Sequence, residues 1–160
     1  MLQLVIVDFE NVQHGSTFID LLDGYALDPM GGGQGLSEYS KQHLVKKLAK
    51  RVDVLSILAY LDQTPVGLIT GFEGFSTFHC KPLLNIHDLV VHPDFRGQGL
   101  ATQLLESVER LAIERGYCKL TLEVLSGNET AYAVYRKAGF SGYQLDPVLG
   151  EAIFLEKALG

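Results

Sequence analysis

A chain of 160 residues, 47% hydrophobic and 20% charged, is long enough for one buried core and has the composition of a soluble globular protein. No apolar run approaches the length that spans a bilayer, and a net charge of −6 argues against nucleic acid as a partner. The first residues also lack the basic flank and cleavage site of a secretory signal. We therefore predict a single domain over residues 1–160, located in the cytoplasm, with no membrane or nucleic-acid partner.

Strand and helix patterns alternate along the chain, as expected of a compact α/β domain. Strands are predicted at residues 2–7, 54–61, 66–78, 83–91, 119–124, 140–143 and 152–156. The first helix is predicted to be capped by Ser16 or Thr17 and to end before Pro29, and the second to be capped by Ser37. Two further helices are predicted at residues 99–115 and 129–137. Within the third strand, Gly71 and Gly74 indicate a bulge or the close approach of another backbone or a ligand.

A basic, glycine-rich turn within residues 91–102 joins the fourth strand to the third helix. Gly97 and Gly99 lack Cβ atoms, so the backbone can bend tightly and approach a bulky ligand, while Arg96 adds a fixed positive charge. Main-chain N–H groups at the start of the helix are free to meet an anion. The turn therefore predicts a phosphate-binding cradle.

Two common phosphate motifs do not fit this turn. It lacks the Gly-Lys-Ser/Thr ending of a P-loop, and Thr102 stands where a dinucleotide fingerprint has Gly or Ala. The remaining pattern, Arg96-x-x-Gly99-x-Ala101, resembles the coenzyme A pyrophosphate motif of the GCN5-related N-acetyltransferase (GNAT) superfamily. Residues 126–140 resemble a second segment of that family, Asn-x-x-Ala-x-x-x-Tyr-x-x-x-Gly-Phe. In this chain the segment is carried by Asn128, Ala131, Tyr135, Gly139 and Phe140.

The resemblance covers the chain from about residue 52 to the C-terminus and implies the acyl-CoA N-acyltransferase fold. That fold is α/β (α+β), with a mixed central sheet of about six to seven strands, four helices and a splay between strands four and five. The resemblance further implies acetyl-CoA as cosubstrate, bound by Leu89, Val90, Val91, Arg96, Gly97, Gln98, Gly99, Leu100, Ala101, Thr102, Asn128, Tyr132 and Tyr135. Residues 1–50 match the family only in their helical pattern, and in this family that part shapes the acceptor site.

The chemistry of acetyl transfer to an amine requires a base for the amine, because an alkylamine with a pKa near 10.4 is protonated at neutral pH. His87 lies where related enzymes often carry a glutamate, and a neutral imidazole can accept the proton directly or through water. Strand alternation places His87 and Asp88 on opposite faces, so we expect Asp88 to be structural. The alternative for His87 is a hydrogen-bonded strand histidine without a catalytic role.

The departing thiolate requires a proton, and the resemblance assigns this role to the Tyr135 hydroxyl. Tyr132 lies one turn earlier and shares its face of the helix. The alternative for Tyr135 is a core residue whose hydroxyl reaches the boundary. Asn128 resembles the family asparagine that binds the pantetheine arm, or it acts only as an N-cap. Main-chain N–H groups of Leu89 and Val91 are the predicted donors to the thioester carbonyl.

The two cysteines, Cys80 and Cys118, lie in different predicted elements and form no Cys-x-x-Cys pair. His79 beside Cys80 has no second ligand pair at zinc spacing, so we predict reduced thiols and no metal site. Neither cysteine belongs to the catalytic constellation. We therefore predict direct transfer without an acyl-enzyme.

The predicted function is transfer of the acetyl group of acetyl-CoA to a primary amine of a small molecule such as a polyamine, an amino acid or an aminoglycoside. One alternative is acetylation of a protein or peptide, and another is a non-catalytic acyl-CoA sensor. Homodimers are common in the resembling family, which makes a homodimer an expected assembly. The glycine-rich loop at residues 31–35 is predicted to be a flexible flap on the acceptor side.

Overall fold

The computed structural model describes residues 1–143, 146–150 and 152–159. Two compact units divide the chain, Met1–Leu122 and Glu123–Gly160. The first unit contains every strand assigned to the sheet, and the second contains one α-helix. Among the described residues, no helix is both long and apolar enough to cross a lipid bilayer.

The first unit is a mixed sheet with helices packed against it. Its elements are β1 (Leu2–Ile6), α1 (Val12–Leu27), α2 (Glu38–Leu48), β2 (Val54–Leu61), β3 (Thr64–Ser76), β4 (Lys81–Val91), α3 (Leu100–Glu114) and β5 (Leu120–Leu122). The strands lie in the order β1-β2-β3-β4-β5, and the first four are antiparallel to their neighbours. β5 runs parallel to β4, which makes the sheet mixed. The predicted α/β class is thereby confirmed.

Helix α1 begins earlier than the sequence pattern indicates. The Asn11 side chain caps it by accepting hydrogen bonds from the N–H groups of Gln13, at 2.9 Å, and His14, at 3.2 Å. The prediction of Ser16 or Thr17 as the cap is wrong, because Asn11 satisfies the free donors of the first turn a full turn earlier. The predicted cap of α2, Ser37, is confirmed by its hydrogen bond from the Ser40 N–H at 3.1 Å.

The loop of the hairpin between β2 and β3 consists of two residues, Asp62 and Gln63, which have φ values of 48° and 70°. Left-handed conformation at both central positions is the signature of a tight hairpin turn whose twist matches that of the strands. β3 therefore begins at Thr64, opposite Leu61, two residues before its predicted start.

Apolar side chains cover both faces of the sheet. On one face, α1 and α2 bury a cluster that comprises Phe18, Leu21, Leu22, Leu48, Leu58, Leu68 and Val90. On the other face, α3 buries Leu104, Leu105 and Val108. Gly67 lets α3 approach β3, because a Cβ atom there would lie 3.1 Å from Leu104 Cδ1 and 2.9 Å from the Val90 carbonyl oxygen.

The second unit contains α4 (Glu129–Lys137) and a short 3-10 helix at Pro147–Leu149. The Asn128 side chain caps α4 by accepting from the Ala131 N–H at 3.2 Å, and Gly139 follows the helix with a φ of 92°. Both bounds of α4 agree with the prediction.

No strand forms at residues 140–143 or within the described residues 152–156, so the two strands predicted there are wrong. The described sheet has five strands rather than six or seven. The apolar residues that suggested a strand remain exposed, with Ile153 at 77% and Phe154 at 69% of their full accessibility. The Ala152 N–H donates to the Tyr143 carbonyl at 3.3 Å, but a strand needs a repeated ladder of such hydrogen bonds as well as an apolar pattern.

Candidate active site

A β-bulge interrupts the middle of β4. Thr70 of β3 lies opposite Asp88. The next residue of β3, Gly71, lies opposite Ile86, which leaves His87 as an extra residue on β4. Such a bulge breaks the regular alternation of side chains and re-aims those beside it.

The bulge brings His87 and Asp88 to the same face of the sheet. Asp88 lies opposite Thr70, and the His87 ring lies 4.8 Å from the Phe72 ring at an interplanar angle of 70°. Thr70 and Phe72 are two residues apart on β3 and share a face. Phe72 packs against the core cluster beneath α1 and α2. Thr70, Phe72, His87 and Asp88 therefore all lie on the face of the sheet that α1 and α2 cover. The prediction of opposite faces for His87 and Asp88 is wrong because it assumed unbroken alternation.

Gly71 carries the sequence signal for this bulge. A Cβ atom there would lie 2.9 Å from Leu84 Cγ and 3.0 Å from the Asn85 carbonyl oxygen, closer than real Cβ atoms pack. The close backbone approach and the shift in register confirm the prediction made from this glycine. The glycine lies on β3, opposite the bulge, and it does not reveal which residue of β4 is extra.

Asp88 is a half-buried carboxylate whose oxygens accept no hydrogen bond from the part of the chain that the structure describes. Burial raises its pKa above the ordinary value, and the neighbouring His87 only partly opposes that effect. Tyr25 of α1 lies in the same electrostatic environment. Burial is the main cause that raises the pKa of Tyr25, and the charges of Asp88 and Asp28 raise it further. Sequence reasoning treated Asp88 as structural, whereas its surroundings make it a candidate for binding a cation.

We expect the Asp88→Asn variant to melt at a higher temperature than the wild type at pH 7. The folded protein holds the Asp88 proton more tightly than the unfolded chain does, because the pKa is raised on folding. The stabilising contribution of this group is therefore complete below the unfolded pKa of about 3.9 and is lost as the pH rises through the folded pKa. Thermal melts across this range should show the gain at pH 7 disappearing in acid.

Asp53→Asn is a matched control for that experiment. The Arg51 side chain binds the Asp53 carboxylate and lowers its pKa, so the sign of the effect is reversed. The stability that Asp53 contributes is present above the unfolded pKa and is lost as the pH falls through the folded pKa. We expect Asp53→Asn to lower the melting temperature at pH 7. An Asp88→Asn melt at or below that of the wild type would show that the carboxylate is stabilised by a partner.

β4 extends beyond the end of β5. The two strands pair only from Leu84 to Ile86 on β4, against Leu120–Leu122. The His92 N–H donates to the Val66 carbonyl at 2.9 Å and therefore points toward β3. Because the direction of N–H groups alternates along a strand, those of Leu89 and Val91 point toward the opposite edge, where β5 has already ended. Two main-chain donors thus lie on an edge of β4 without a paired strand among the described residues.

The turn after β4 has the geometry of an anion cradle. Pro93–Phe95 form one 3-10 turn, and Gly97 and Gly99 then adopt left-handed conformations with φ values of 77° and 76°. Helix α3 begins at Leu100 without a hydrogen bond from any capping side chain. No heavy atom lies within 4 Å of a Cβ built at Gly97 or Gly99, so the space beside the turn is open. The first-turn N–H groups of α3 and this open space fit a pyrophosphate.

Arg96, the cation of this turn, has a carboxylate partner. Its Nη2 donates to Asp28 Oδ2 at 2.9 Å, and its Nε donates to the Val91 carbonyl at 3.3 Å. Asp28 ends α1 and also accepts from the Met30 N–H at 2.9 Å. That backbone hydrogen bond and then the Arg96 guanidinium hold the pKa of Asp28 below its ordinary value. No sequence pattern indicated this pair.

The glycine-rich loop after α1 is fastened at both ends. Asp28 caps the 3-10 turn Pro29–Gly31 at its start. At its end, the Asp23 carboxylate accepts from the Leu36 N–H at 2.7 Å and from Lys41 Nζ at 2.9 Å. Residues 32–35 between these points are exposed. The prediction of a flexible flap is therefore restricted to the middle of the loop.

The remaining predicted cofactor residues on β4 and α3 differ in exposure. Val90 and Leu100 are buried, and Val90 belongs to the core cluster beneath α1 and α2. Ala101 and Thr102 are half-buried in the first turn of α3, while Gln98 is exposed. Val90 and Leu100 can therefore contact a cofactor only through their main-chain atoms, because their side chains are buried.

The predicted residues of the second unit lie on or before α4. Tyr135 is half-buried, and its ring lies 5.9 Å from the Phe140 ring at 64°. Tyr132 is exposed, with the Arg136 guanidinium 5.9 Å from its ring centroid. Asn128 caps α4, so the capping role predicted as its alternative is present.

Both cysteines are free thiols. Within residues 1–143, 146–150 and 152–159, no three His, Cys, Asp or Glu side chains are grouped so that they could hold a metal ion. His79 forms a hydrogen bond to the Ser76 hydroxyl at 3.1 Å.

Comparison with known proteins identifies the class. The sequence profile of the acetyltransferase (GNAT) family matches residues 21–140. The chain therefore belongs to the GNAT family of acetyltransferases, as the turn at Arg96 and the segment at Asn128 predict, and acetyl-CoA is the acetyl donor of that family.

Curated relatives include enzymes that are named for small amines. The chain is 30% identical over 108 residues to a thialysine N-epsilon-acetyltransferase of Caenorhabditis elegans, covering 62% of this chain and 67% of the relative. It is 36% identical over 83 residues to a streptothricin acetyltransferase of Streptomyces lavendulae, covering 52% of this chain and 44% of the relative. The second match thus spans less than half of the relative's length.

Solved structures of low sequence identity share the fold. A probable acetyltransferase superposes with a TM-score of 0.81 at 22% identity, covering 99% of both chains. An aminoglycoside acetyltransferase from an uncultured soil metagenomic sample, in complex with sisomicin, has a TM-score of 0.79 at 19% identity, covering 99% of this chain and 97% of that one. AAC(6')-Iy in complex with a bisubstrate analogue containing CoA has a TM-score of 0.77 at 17% identity, covering 99% of both chains.

Proposed function

We propose that this protein transfers the acetyl group of acetyl-CoA directly to a primary amine of a small, cationic molecule. The observation that carries the proposal is the combination, within one strand and the turn after it, of an unpaired edge and an anion cradle. The edge presents the N–H groups of Leu89 and Val91. The cradle is formed by Gly97, Gly99 and the start of α3.

Acetyl-CoA supplies an activated thioester, and this chain supplies the groups that bind and orient it. The N–H groups at the start of α3 donate hydrogen bonds to the pyrophosphate. On β4, the N–H of Leu89 or that of Val91 donates to the carbonyl oxygen, where negative charge develops, because two N–H groups on the same edge lie about 6.6 Å apart and cannot share one oxygen. The proposed cofactor contacts are the predicted set: Leu89, Val90, Val91, Arg96, Gly97, Gln98, Gly99, Leu100, Ala101, Thr102, Asn128, Tyr132 and Tyr135.

His87 is the proposed base for the acceptor amine. Its side chain is exposed beside Phe72, on the face covered by α1 and α2. Exposure lets an amine or an intervening water reach the imidazole, which accepts the proton in its neutral form. Tyr135 is the proposed acid for the thiolate. Neither cysteine is assigned a role, so we propose transfer without an acyl-enzyme.

A cationic acceptor is favoured by Asp88. This half-buried carboxylate lies next to His87 on the same face, and its raised pKa reflects burial. A buried charge without a partner is costly, and an ammonium group on the acceptor would offset that cost. The relatives named for thialysine and streptothricin support a small amine as the substrate class.

The two free thiols support a reducing compartment, and cytoplasmic location and a homodimer remain part of this proposal.

Acetyl transfer from isotopically labelled acetyl-CoA tests the proposal directly. The protein is incubated with a mixed pool of polyamines, amino acids, aminoglycosides and short peptides, and the products are separated by mass. We expect label on one or more small amines that carry at least one further positive charge. Label only on peptides would establish the protein-acetyltransferase alternative. Binding of CoA without label on any acceptor would favour the acyl-CoA sensor.

A further inference from the structure

The Asp28–Arg96 ion pair joins two parts of the molecule that are 68 residues apart in sequence. Arg96 lies in the proposed pyrophosphate turn, and Asp28 lies at the start of the loop that follows α1. About half of the Arg96 side chain is exposed, at 51%, against 21% for Asp28. Because Arg96 Nε also donates to the Val91 carbonyl, the guanidinium is held against the end of β4 while it binds the carboxylate.

Asp28 sets the course of the loop through three further contacts. Its carboxylate accepts from the Met30 N–H at 2.9 Å. Its carbonyl oxygen accepts from the N–H groups of Gly31, at 2.8 Å, and Gly33, at 3.0 Å. Gly31 packs so tightly that a Cβ atom there would lie 2.0 Å from the Tyr25 carbonyl oxygen. A displacement of Asp28 would therefore move the whole first half of the loop.

The loop lies beside the proposed acceptor side of β4. Tyr25, one turn before Asp28, packs against the core cluster that includes Val90 of β4, and burial and then the charges of Asp88 and Asp28 raise its pKa. Its hydroxyl also donates to the Met30 carbonyl at 3.4 Å. The loop is thus held to Arg96 at its start, and at its end Leu36 packs against the core cluster that contains Val90 of β4.

The Arg96 guanidinium has N–H donors that the contacts described above do not use. Arginine carries five N–H donors in a fixed plane, and the two contacts described here use one on Nε and one on Nη2. The unused donors can reach a phosphate oxygen while the ion pair persists. An anion bound at the turn would then immobilise Arg96 further, and with it Asp28.

We propose that Asp28 is a positioning residue that couples the glycine-rich loop after α1, residues 29–36, to the pyrophosphate turn through Arg96. CoA bound at the turn orders residues 29–36, and this ordering favours acceptor binding. This inference rests on the proposed function, since it requires that CoA bind at the turn. By linkage, an acceptor held by the loop strengthens CoA binding by the same factor.

Hydrogen exchange with and without CoA tests the coupling without knowledge of the acceptor. In the wild type, we expect CoA to slow exchange at the amides of residues 30–36 by about fivefold or more, the lower end of typical couplings between sites. Asp28→Asn keeps the capping oxygen but removes the charge, so the fold of the loop start is retained. In that variant we expect CoA to bind within about threefold of the wild-type affinity while the slowing at residues 30–36 is lost.

Two further variants complete the test. Asp53→Asn removes the ion pair to Arg51, which has no part in the pyrophosphate turn or in residues 29–36, and should leave the slowing intact. Arg96→Lys keeps the positive charge without the planar fork, and we expect it to bind CoA with the slowing reduced. Once an acceptor is known, Asp28→Asn should raise its KM about fivefold with kcat little changed.

Undiminished slowing in Asp28→Asn would overturn the coupling, as would a wild type that binds CoA without any slowing at residues 30–36. Failure of the wild-type protein to bind CoA at all, by titration calorimetry, would instead overturn the proposed function and this inference with it.

Discussion

Replacing Tyr135 with phenylalanine is expected to lower kcat by about 100-fold or more, within the range that a general acid contributes. The reason is that the variant loses the hydroxyl proton for the departing thiolate but keeps the ring that packs 5.9 Å from Phe140. We expect CoA affinity to change by less than about threefold, because ring packing and helix α4 are retained. Single-turnover kinetics with acetyl-CoA and the acceptor found in the labelling experiment would separate chemistry from product release.

Tyr39→Phe provides the comparison for this variant. Tyr39 is exposed on α2, where its ring stacks on His43 at 4.2 Å. Tyr39 has no proposed role, so the kcat of the Tyr39→Phe variant should match that of the wild type. An unchanged kcat in Tyr135→Phe would remove Tyr135 from the acid role, whereas equal losses in kcat and CoA affinity would indicate a binding role.

Gly99→Ala is expected to weaken CoA binding by about 10- to 100-fold, the range for one or two lost hydrogen bonds to a charged group. A Cβ at Gly99 meets no protein atom within 4 Å, yet the φ of 76° disfavours any residue with a side chain. The added methyl group would occupy the space that a pyrophosphate needs, and relief of the strain would turn the N–H groups of α3 away from it. Equilibrium titration with CoA measures the loss.

Gly116→Ala is a closely matched control at the other end of α3. Gly116 has a φ of 75° and the same open surroundings, so the strain that alanine introduces should be similar, about 1–2 kcal/mol. We expect both variants to lose similar stability in thermal melts and only Gly99→Ala to lose CoA affinity. Equal CoA affinity in the two variants would place the pyrophosphate elsewhere.

Elements defined by local signals were predicted well from the sequence. The bounds of β2 and α4 agree with the prediction to the residue, because each is delimited by nearby residues: a tight turn at Asp62 for β2, and a cap at Asn128 for α4. The family resemblance also depended on local patterns. Asn11 is an equally local cap, but Ser16 and Thr17 are also favoured N-cap residues and lie directly before the apolar Phe18.

Features that depend on distant partners were not predictable in the same way. Strands were expected at residues 140–143 and 152–156 from the local sequence pattern, whereas pairing is decided by which backbone lies alongside. The shared face of His87 and Asp88 depends on a register shift between two strands. The Asp28–Arg96 pair joins residues that nothing in the sequence relates. The roles assigned to the site residues remain predictions that the experiments above address.

The fastening of the glycine-rich loop at Asp28 and Asp23 has a consequence for how this protein could change over evolution. Substitutions, insertions or deletions within residues 32–35 would alter the rim of the proposed acceptor site while both anchors and the packed helices remain in place. New acceptor preferences could therefore arise from this short stretch at little cost in folding. Variation of its length offers laboratory selection a compact region for redirecting the enzyme to other acceptors.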